Sequence, residues 1–329
     1  MLDRRMLYDI IYALAASKGR QEALFGSCAP LAHEAFGRSI AGNGFPELWI
    51  ELPLLDEPWF DLHVNTGIEQ VDPNMEFAPE TTGGHPEIFE WFAKQGSAVR
   101  QISLGYDVSK GDIDHPAVQL LMRNSNPEVV CSFLETAGNP GAARAYRAFA
   151  DRLPQDWFPC YMGVFPGRED VNLRVECIPS DERQLAYARD ATLLEDDLRS
   201  TGLSNLGDDL VPRCQELAQS PFHLEFQFNV GPDGLAEEVL GASLRFGAPS
   251  EEAATPFEVE GDAGKIMERV ESWGLADDRW RLFGDASFAK RISFRDESIV
   301  LYAYPAFVKL RWREGKAVDA KTYFVAGAV

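Results

Sequence analysis

The sequence predicts an α+β fold: repeated αββα units whose antiparallel strands, about ten in all, close into a barrel with helices outside. Three observations predict it. First, 221–247 reads as strand–turn–strand. His223, Leu224, Glu225, Phe226, Gln227, Phe228, Asn229 and Val230 alternate polar and apolar, Gly231, Pro232, Asp233 and Gly234 turn the chain, and 237–246 returns. Second, strand pairs begin near residues 48, 99, 158, 222 and 298 with helical stretches between them. A pattern of roughly 50 to 75 residues therefore recurs, although the letters do not repeat. Third, each strand divides into one apolar and one polar face.

The elements follow in order. Residues 1–38 read as two short helices broken near Lys18 and Gly19, and Ala41, Gly42, Asn43 and Gly44 form a loop. The first strand pair is 48–52 and 59–65, joined around Asp56, Glu57 and Pro58. A long loop over 69–85 carries Pro73, Pro79, Gly83 and Gly84, and 86–94 is a short helix. Residues 99–108 form a strand. Asp114 then has the look of a helix cap with Pro116 in the first turn, so helices are expected over 116–124, 127–137 and 140–152, and the return strand of this second unit is not evident. The third unit pairs 158–165 with 172–178 across 166–170. Ser180 opens a helix to about 198, and another runs near 207–219. The fourth unit is 222–230 and 237–246, followed by a loop over 248–254 and a helix over 263–273. Strands at 290–294, 298–304, 306–312 and 320–325 complete the chain, the last two joined through Glu314, Gly315 and Lys316. With no low-complexity segment and no strong linker, 1–329 reads as a single αββα-repeat barrel domain, 1–38 being its N-terminal helical segment.

Composition narrows the function. Fifty-two acidic residues against 31 basic ones give a net charge of −21. Nucleic acid and anionic membrane both demand a basic footprint, so neither is an expected partner. The five cysteines (Cys28, Cys131, Cys160, Cys177, Cys214) are odd in number and form no CxxC, which fits reduced thiols in a cytoplasm. Leu7, Ile10, Ile11 and Leu14 fall at helical spacing around Asp9, an amphipathic helix rather than an export signal. No apolar run approaches the roughly 20 residues that span a bilayer.

The strand faces carry the functional argument. One face holds Leu48, Ile50 and Leu52, then Phe60, Leu62 and Val64, with Leu224, Phe226 and Phe228 later, and would meet helices. The other holds Trp49, Glu51, Asp61, His63, Asn65, Arg174, Glu176, Arg245, Lys309, Arg311, Lys321 and Tyr323, with His223, Glu225, Gln227 and Asn229 expected to line a lumen. In an open sheet this second face would meet water; in a closed barrel, which leaves no bare edge, it would line a chamber wide enough for a ligand. No Walker A, GxGxxG, HExxH or GxSxG motif occurs, and the five histidines are scattered, so no metal site is expected. What remains is a cationic set, Arg174, Arg245, Lys309, Arg311 and Lys321. Inside a lumen it would need an anionic guest or neighbouring carboxylates to offset desolvation. Diphosphate suits arginine forks and lysine point charges.

Repeated αββα units, a polar strand face, Arg174 within Asn172-Leu173-Arg174-Val175-Glu176, the Lys309-Leu310-Arg311 pair and a terminal Lys321-Thr322-Tyr323 together resemble the ABBA-type aromatic and peptide prenyltransferases. The resemblance spans most of the chain as a pattern. It implies that Arg174, Arg245, Lys309, Arg311 and Lys321 hold diphosphate, that Tyr106, Tyr304 and Tyr323 shield an allylic cation through their π faces, and that Glu51 is the acid–base residue. It also implies a dimethylallyl or geranyl diphosphate donor and an aromatic or peptide acceptor. No resident cofactor is required, Mg2+ being admitted only with the donor. The alternative is a barrel that binds a peptide or small molecule without turnover, as an accessory factor in ribosomal-peptide or natural-product maturation.

Overall fold

The computed structural model describes residues 47–55, 59–96, 98–165, 173–246, 257–294 and 297–328. The expectations for 1–38, 41–44, the 56–58 joint, the 166–170 turn, the 248–254 loop and Cys28 lie outside these residues.

Strands with an apolar residue at every second position must cover that face, and here helices do so. Among the described residues eleven strands are formed: β1 (Glu47–Pro53), β2 (Asp61–Gly67), β3 (Val99–Asp107), β4 (Asp112–Met122), β5 (Trp157–Val164), β6 (Leu173–Pro179), β7 (His223–Val230), β8 (Ala236–Arg245), β9 (Phe288–Phe294), β10 (Glu297–Arg313) and β11 (Lys316–Ala328). All pairings are antiparallel. They run in sequence order from β1 to β8, then to β10 and β11, and β11 returns to β1. Ten strands thus close a barrel, as the repeats and faces predict, and β9 adds an outer strand to β10. The expected strands 298–304 and 306–312 are one long β10, whose first part pairs with β9 and whose last part pairs with β8, with a register shift between Pro305 and Phe307.

Among the described residues the helices are α1 (Pro86–Ala93), α2 (Pro127–Thr136), α3 (Pro140–Ala150), α4 (Asp181–Tyr187), α5 (Ala191–Ser200), α6 (Leu210–Ala218), α7 (Asp262–Ser272) and α8 (Phe283–Ala286). Four of these eight begin where the sequence supplies a cap. Asn126, Asn139, Ser180 and Asp190 each accept a backbone N–H of the first turn. The Asp190 cap splits the expected 180–198 helix into α4 and α5.

One expectation is corrected. Residues 116–124 are not a helix capped by Asp114; 116–122 belong to β4, the missing return strand of the second unit. The β3–β4 ladder loses register between Gly105 and Asp107, and Pro116, with no N–H to donate, sits within that irregular stretch. Beyond it Val118, Leu120 and Met122 alternate onto the buried outer face.

The core is the shell between this outer face and the helices. Leu48, Leu62, Val64, Ile102, Leu104, Val175, Leu224, Phe226, Phe228, Leu244 and Leu310 are all at or below 2% exposed. Trp157 stacks on Phe226 at 5.1 Å and 11°, and its indole N–H donates to the Tyr187 hydroxyl at 2.7 Å. Arg183 clamps Asp197 beneath them. No helix among the described residues is long and apolar enough to cross a membrane.

Candidate active site in the barrel lumen

Closure turns the polar face inward around a cavity of about 570 Å³. Each wall follows from alternation. β1 contributes Trp49 and Glu51, β2 Asp61 and His63, β6 Arg174 and Glu176, β7 Glu225, Gln227 and Asn229, β10 Phe307, Lys309 and Arg311, and β11 Asp319, Lys321 and Tyr323. The barrel brings the five predicted cations, Glu51 and Tyr323 to one chamber. In the strand order β4 stands opposite β10, so Ala117 and Gln119, flanked by Gly105 and Gly163 on β3 and β5, face the Lys309 wall.

The cations are met by carboxylates. Arg245 makes two bonds to Glu225, at 2.9 and 3.3 Å. The Lys309 ammonium lies 3.7 Å from Glu176, whose oxygens also accept from Gln227 at 3.3 Å and Ser243 at 3.2 Å. Arg311 pairs with Asp319, and Lys321 with Glu51. Arg174 donates to Asn229 at 3.1 Å and lies over the Phe165 ring at 4.4 Å. Such pairing stabilises charge that burial would otherwise penalise by several kcal/mol per ion.

Around Glu51 the contacts converge. One carboxylate oxygen takes Lys321; the other accepts the Tyr323 hydroxyl at 2.6 Å and lies 3.6 Å from His63 Nε2. Burial opposes ionisation of Glu51, but Lys321 and His63 outweigh it and hold the carboxyl well below its usual range. Asp61, its cross-strand neighbour, goes the other way. Burial and the Glu51 charge push it up to about 6 against two bonds from Ser109. Burial likewise raises Glu225 although Arg245 opposes it. Burial, and then Glu51, keep the Tyr323 phenol protonated.

Aromatic rings close one side of the chamber. Tyr323 stacks on Phe307 at 4.3 Å, Trp49 meets Phe307 edge-on at 5.3 Å, and Lys309 Nζ sits 5.1 Å from the Tyr323 centroid. Tyr304 belongs to this inner cluster with Tyr302, beside the cavity and not in its lining. Tyr106 touches the cavity's margin, but alternation places it with Ile102 and Leu104 in the outer core.

His223 is a correction. It shares the inward parity of β7 but does not line the cavity; at the strand's first position its ring reaches out to Gln184 at 2.9 Å and Asp181 at 3.0 Å on α4. Glu225, Gln227 and Asn229 do line it. Sequence reasoning set His63 and Asp61 on the polar face, Asp61 only as a carboxylate that could pair with the cations, and missed Gln119 and Tyr161; all four face the chamber. The first two were legible as members of the polar face of β2. Tyr161 was hidden by a register shift between Pro159 and Tyr161, which breaks simple alternation. Among the described residues no three His, Cys, Asp or Glu side chains gather as a metal-binding group.

No protein-family model matches the chain, and neither does any curated protein. Solved structures do. The chain is similar to a 6-dimethylallyl tryptophan synthase at 12% identity and a TM-score of 0.52, over 98% of this chain and 96% of that one. Two further likenesses have a TM-score of 0.48. One is the 6-dimethylallyltryptophan synthase from Micromonospora olivasterospora in complex with DMASPP and Trp, at 13% identity over 98% and 97% of the two chains. The other is prenyltransferase PriB in its apo form, at 11% identity over 97% and 95%. The first of these shows the fold, which is that of the ABBA-type prenyltransferase barrel.

Proposed function

We propose that the chain is a prenyltransferase, moving an allylic prenyl group from a diphosphate donor to an aromatic acceptor, either a small molecule or a peptide side chain. One observation carries the reading: inside a closed chamber, Lys309 stands directly over the stacked rings of Tyr323 and Phe307. Diphosphate held by Lys309, Arg311 and Lys321 would leave its prenyl carbon above those rings. Their π faces attract a cation, and a chamber filled by donor and acceptor would keep water from it. Arg174 and Arg245 would complete the anion's neutralisation. The donor is dimethylallyl or geranyl diphosphate, which a cavity of about 570 Å³ accommodates together with an aromatic ring. Mg2+ would enter as the counter-ion of the donor, with the chemistry of neutralising its charge.

The test is incubation with dimethylallyl or geranyl diphosphate and L-tryptophan, indoles or tryptophan- and tyrosine-containing peptides, read by mass spectrometry with and without EDTA. A mass gain of one prenyl unit on the acceptor is expected. A second reading, a barrel that binds without turnover, is favoured by the carboxylate partners of Arg245, Lys309, Arg311 and Lys321. It predicts tight binding of a peptide or neutral small molecule and no release of diphosphate.

A further inference from the structure

We infer that Asp61 accepts the proton that the acceptor loses on prenylation, and that Glu51 instead positions Lys321 and Tyr323; the inference rests on the prenyl-transfer reading above. The two carboxylates are direct cross-strand partners on the lumen wall, yet their surroundings differ. Glu51 has both oxygens engaged, one by Lys321 and the other by Tyr323 with His63 beside it. A proton placed there would displace a cation, so this carboxylate is a poor base and a good anchor.

Asp61 is 7% exposed and lines the same cavity. Its Oδ1 accepts from both the backbone N–H and the hydroxyl of Ser109, at 3.0 and 2.7 Å, which fixes the carboxyl. Its Oδ2 accepts no hydrogen bond among the described residues. The charged and titratable groups around it are Glu51 on β1, Lys321 on β11, His63 on its own strand, and Asp107 and Lys110 at the end of β3 and the turn that follows. The Asp107 carboxylate is occupied by Lys110 at 3.0 Å. Burial and the Glu51 charge favour the protonated form, and a base whose affinity lies near neutrality is the efficient kind.

The step balances. The C1–O bond of the donor breaks and its electron pair leaves with diphosphate. A π or lone pair of the acceptor bonds to C1. The hydrogen on the attacking atom passes as a proton to Asp61 Oδ2, its bonding pair remaining in the product. Water at the barrel mouth then takes the proton and resets the carboxylate.

Three proteins test this: wild type, Asp61→Asn and Glu51→Gln. Binding of an unreactive thiolo analogue of dimethylallyl diphosphate is measured by calorimetry. Consumption of dimethylallyl diphosphate is followed with L-tryptophan or, where no organic acceptor reacts, with water as nucleophile. Asp61→Asn should bind the analogue within about twofold of wild type and lose about 100-fold or more in kcat at unchanged KM. The acidic limb of the wild-type pH profile, near pH 6, should vanish with it. Glu51→Gln should weaken analogue binding about tenfold and keep that limb. If Asp61→Asn keeps its kcat and its limb, the inference falls while prenyl transfer stands. A wild-type protein that neither binds the analogue nor consumes the donor overturns both.

Discussion

Lys309 offers the sharpest separation of a stabilising role from a binding one. It is buried with Glu176, their side chains 11% and 8% exposed, at 3.7 Å. At that separation the attraction is about 4 kcal/mol for an effective dielectric of ~20. Removing one member of such a pair strands the other, at a cost of about 3–5 kcal/mol. Glu176 retains bonds from Gln227 and Ser243, so Lys309→Met should lie at the lower end, near 3 kcal/mol in urea unfolding. Lys309→Met with Glu176→Gln removes the stranded charge and should recover most of that loss. Donor binding should not recover. A charge-assisted bond to diphosphate contributes about 1.5–3 kcal/mol, so both variants should bind dimethylallyl diphosphate about 10–150-fold more weakly by calorimetry. A double variant that is stable and binds the donor as tightly as wild type would refute Lys309 as a diphosphate ligand.

Three further outcomes are expected. Asp61 has a folded-state pKa of about 6 against 3.8 for the free group, so folding disfavours its charged form above pH 6 and ceases to do so below about pH 4. Asp61→Asn should therefore raise stability at pH 8, by up to about 3 kcal/mol, and leave it unchanged near pH 4 in paired thermal melts. Glu51 has the opposite sign: held below its ordinary value, it stabilises above pH 4.5 and loses this as pH falls, so Glu51→Gln should flatten the acid limb of the stability curve. Phe226→Ala, at a fully buried ring stacked on Trp157, should cost about 3–5 kcal/mol in urea unfolding without altering donor affinity.

Much of the barrel was legible because alternation is a physical requirement of a strand with two environments. Leu224, Phe226 and Phe228 fall outside, and Glu225, Gln227 and Asn229 fall inside, as their spacing demands. β4 was not legible. Asp114 and Pro116 imitate a helix start, and the ladder irregularity opposite them interrupts the period-two signal on which a strand assignment rests. His223 failed for a different reason. Alternation gives the side of the sheet but not the height along the barrel, and at the strand's end the nearest partners, Gln184 and Asp181, come from α4. The cations were readable individually. Their carboxylate partners were not assignable, because the pairs Glu176–Lys309 and Glu51–Lys321 join residues distant in sequence and depend on which strands close the barrel.

The most direct measurement is a crystal structure with the thiolo analogue of dimethylallyl diphosphate. The expected result is diphosphate density between Lys309, Arg311 and Lys321, with the prenyl group over the Tyr323 and Phe307 rings and Asp61 Oδ2 facing the vacant acceptor space. A lumen that stays empty at saturating analogue, its four ion pairs intact, would contradict a donor site there and leave the barrel as a binding protein.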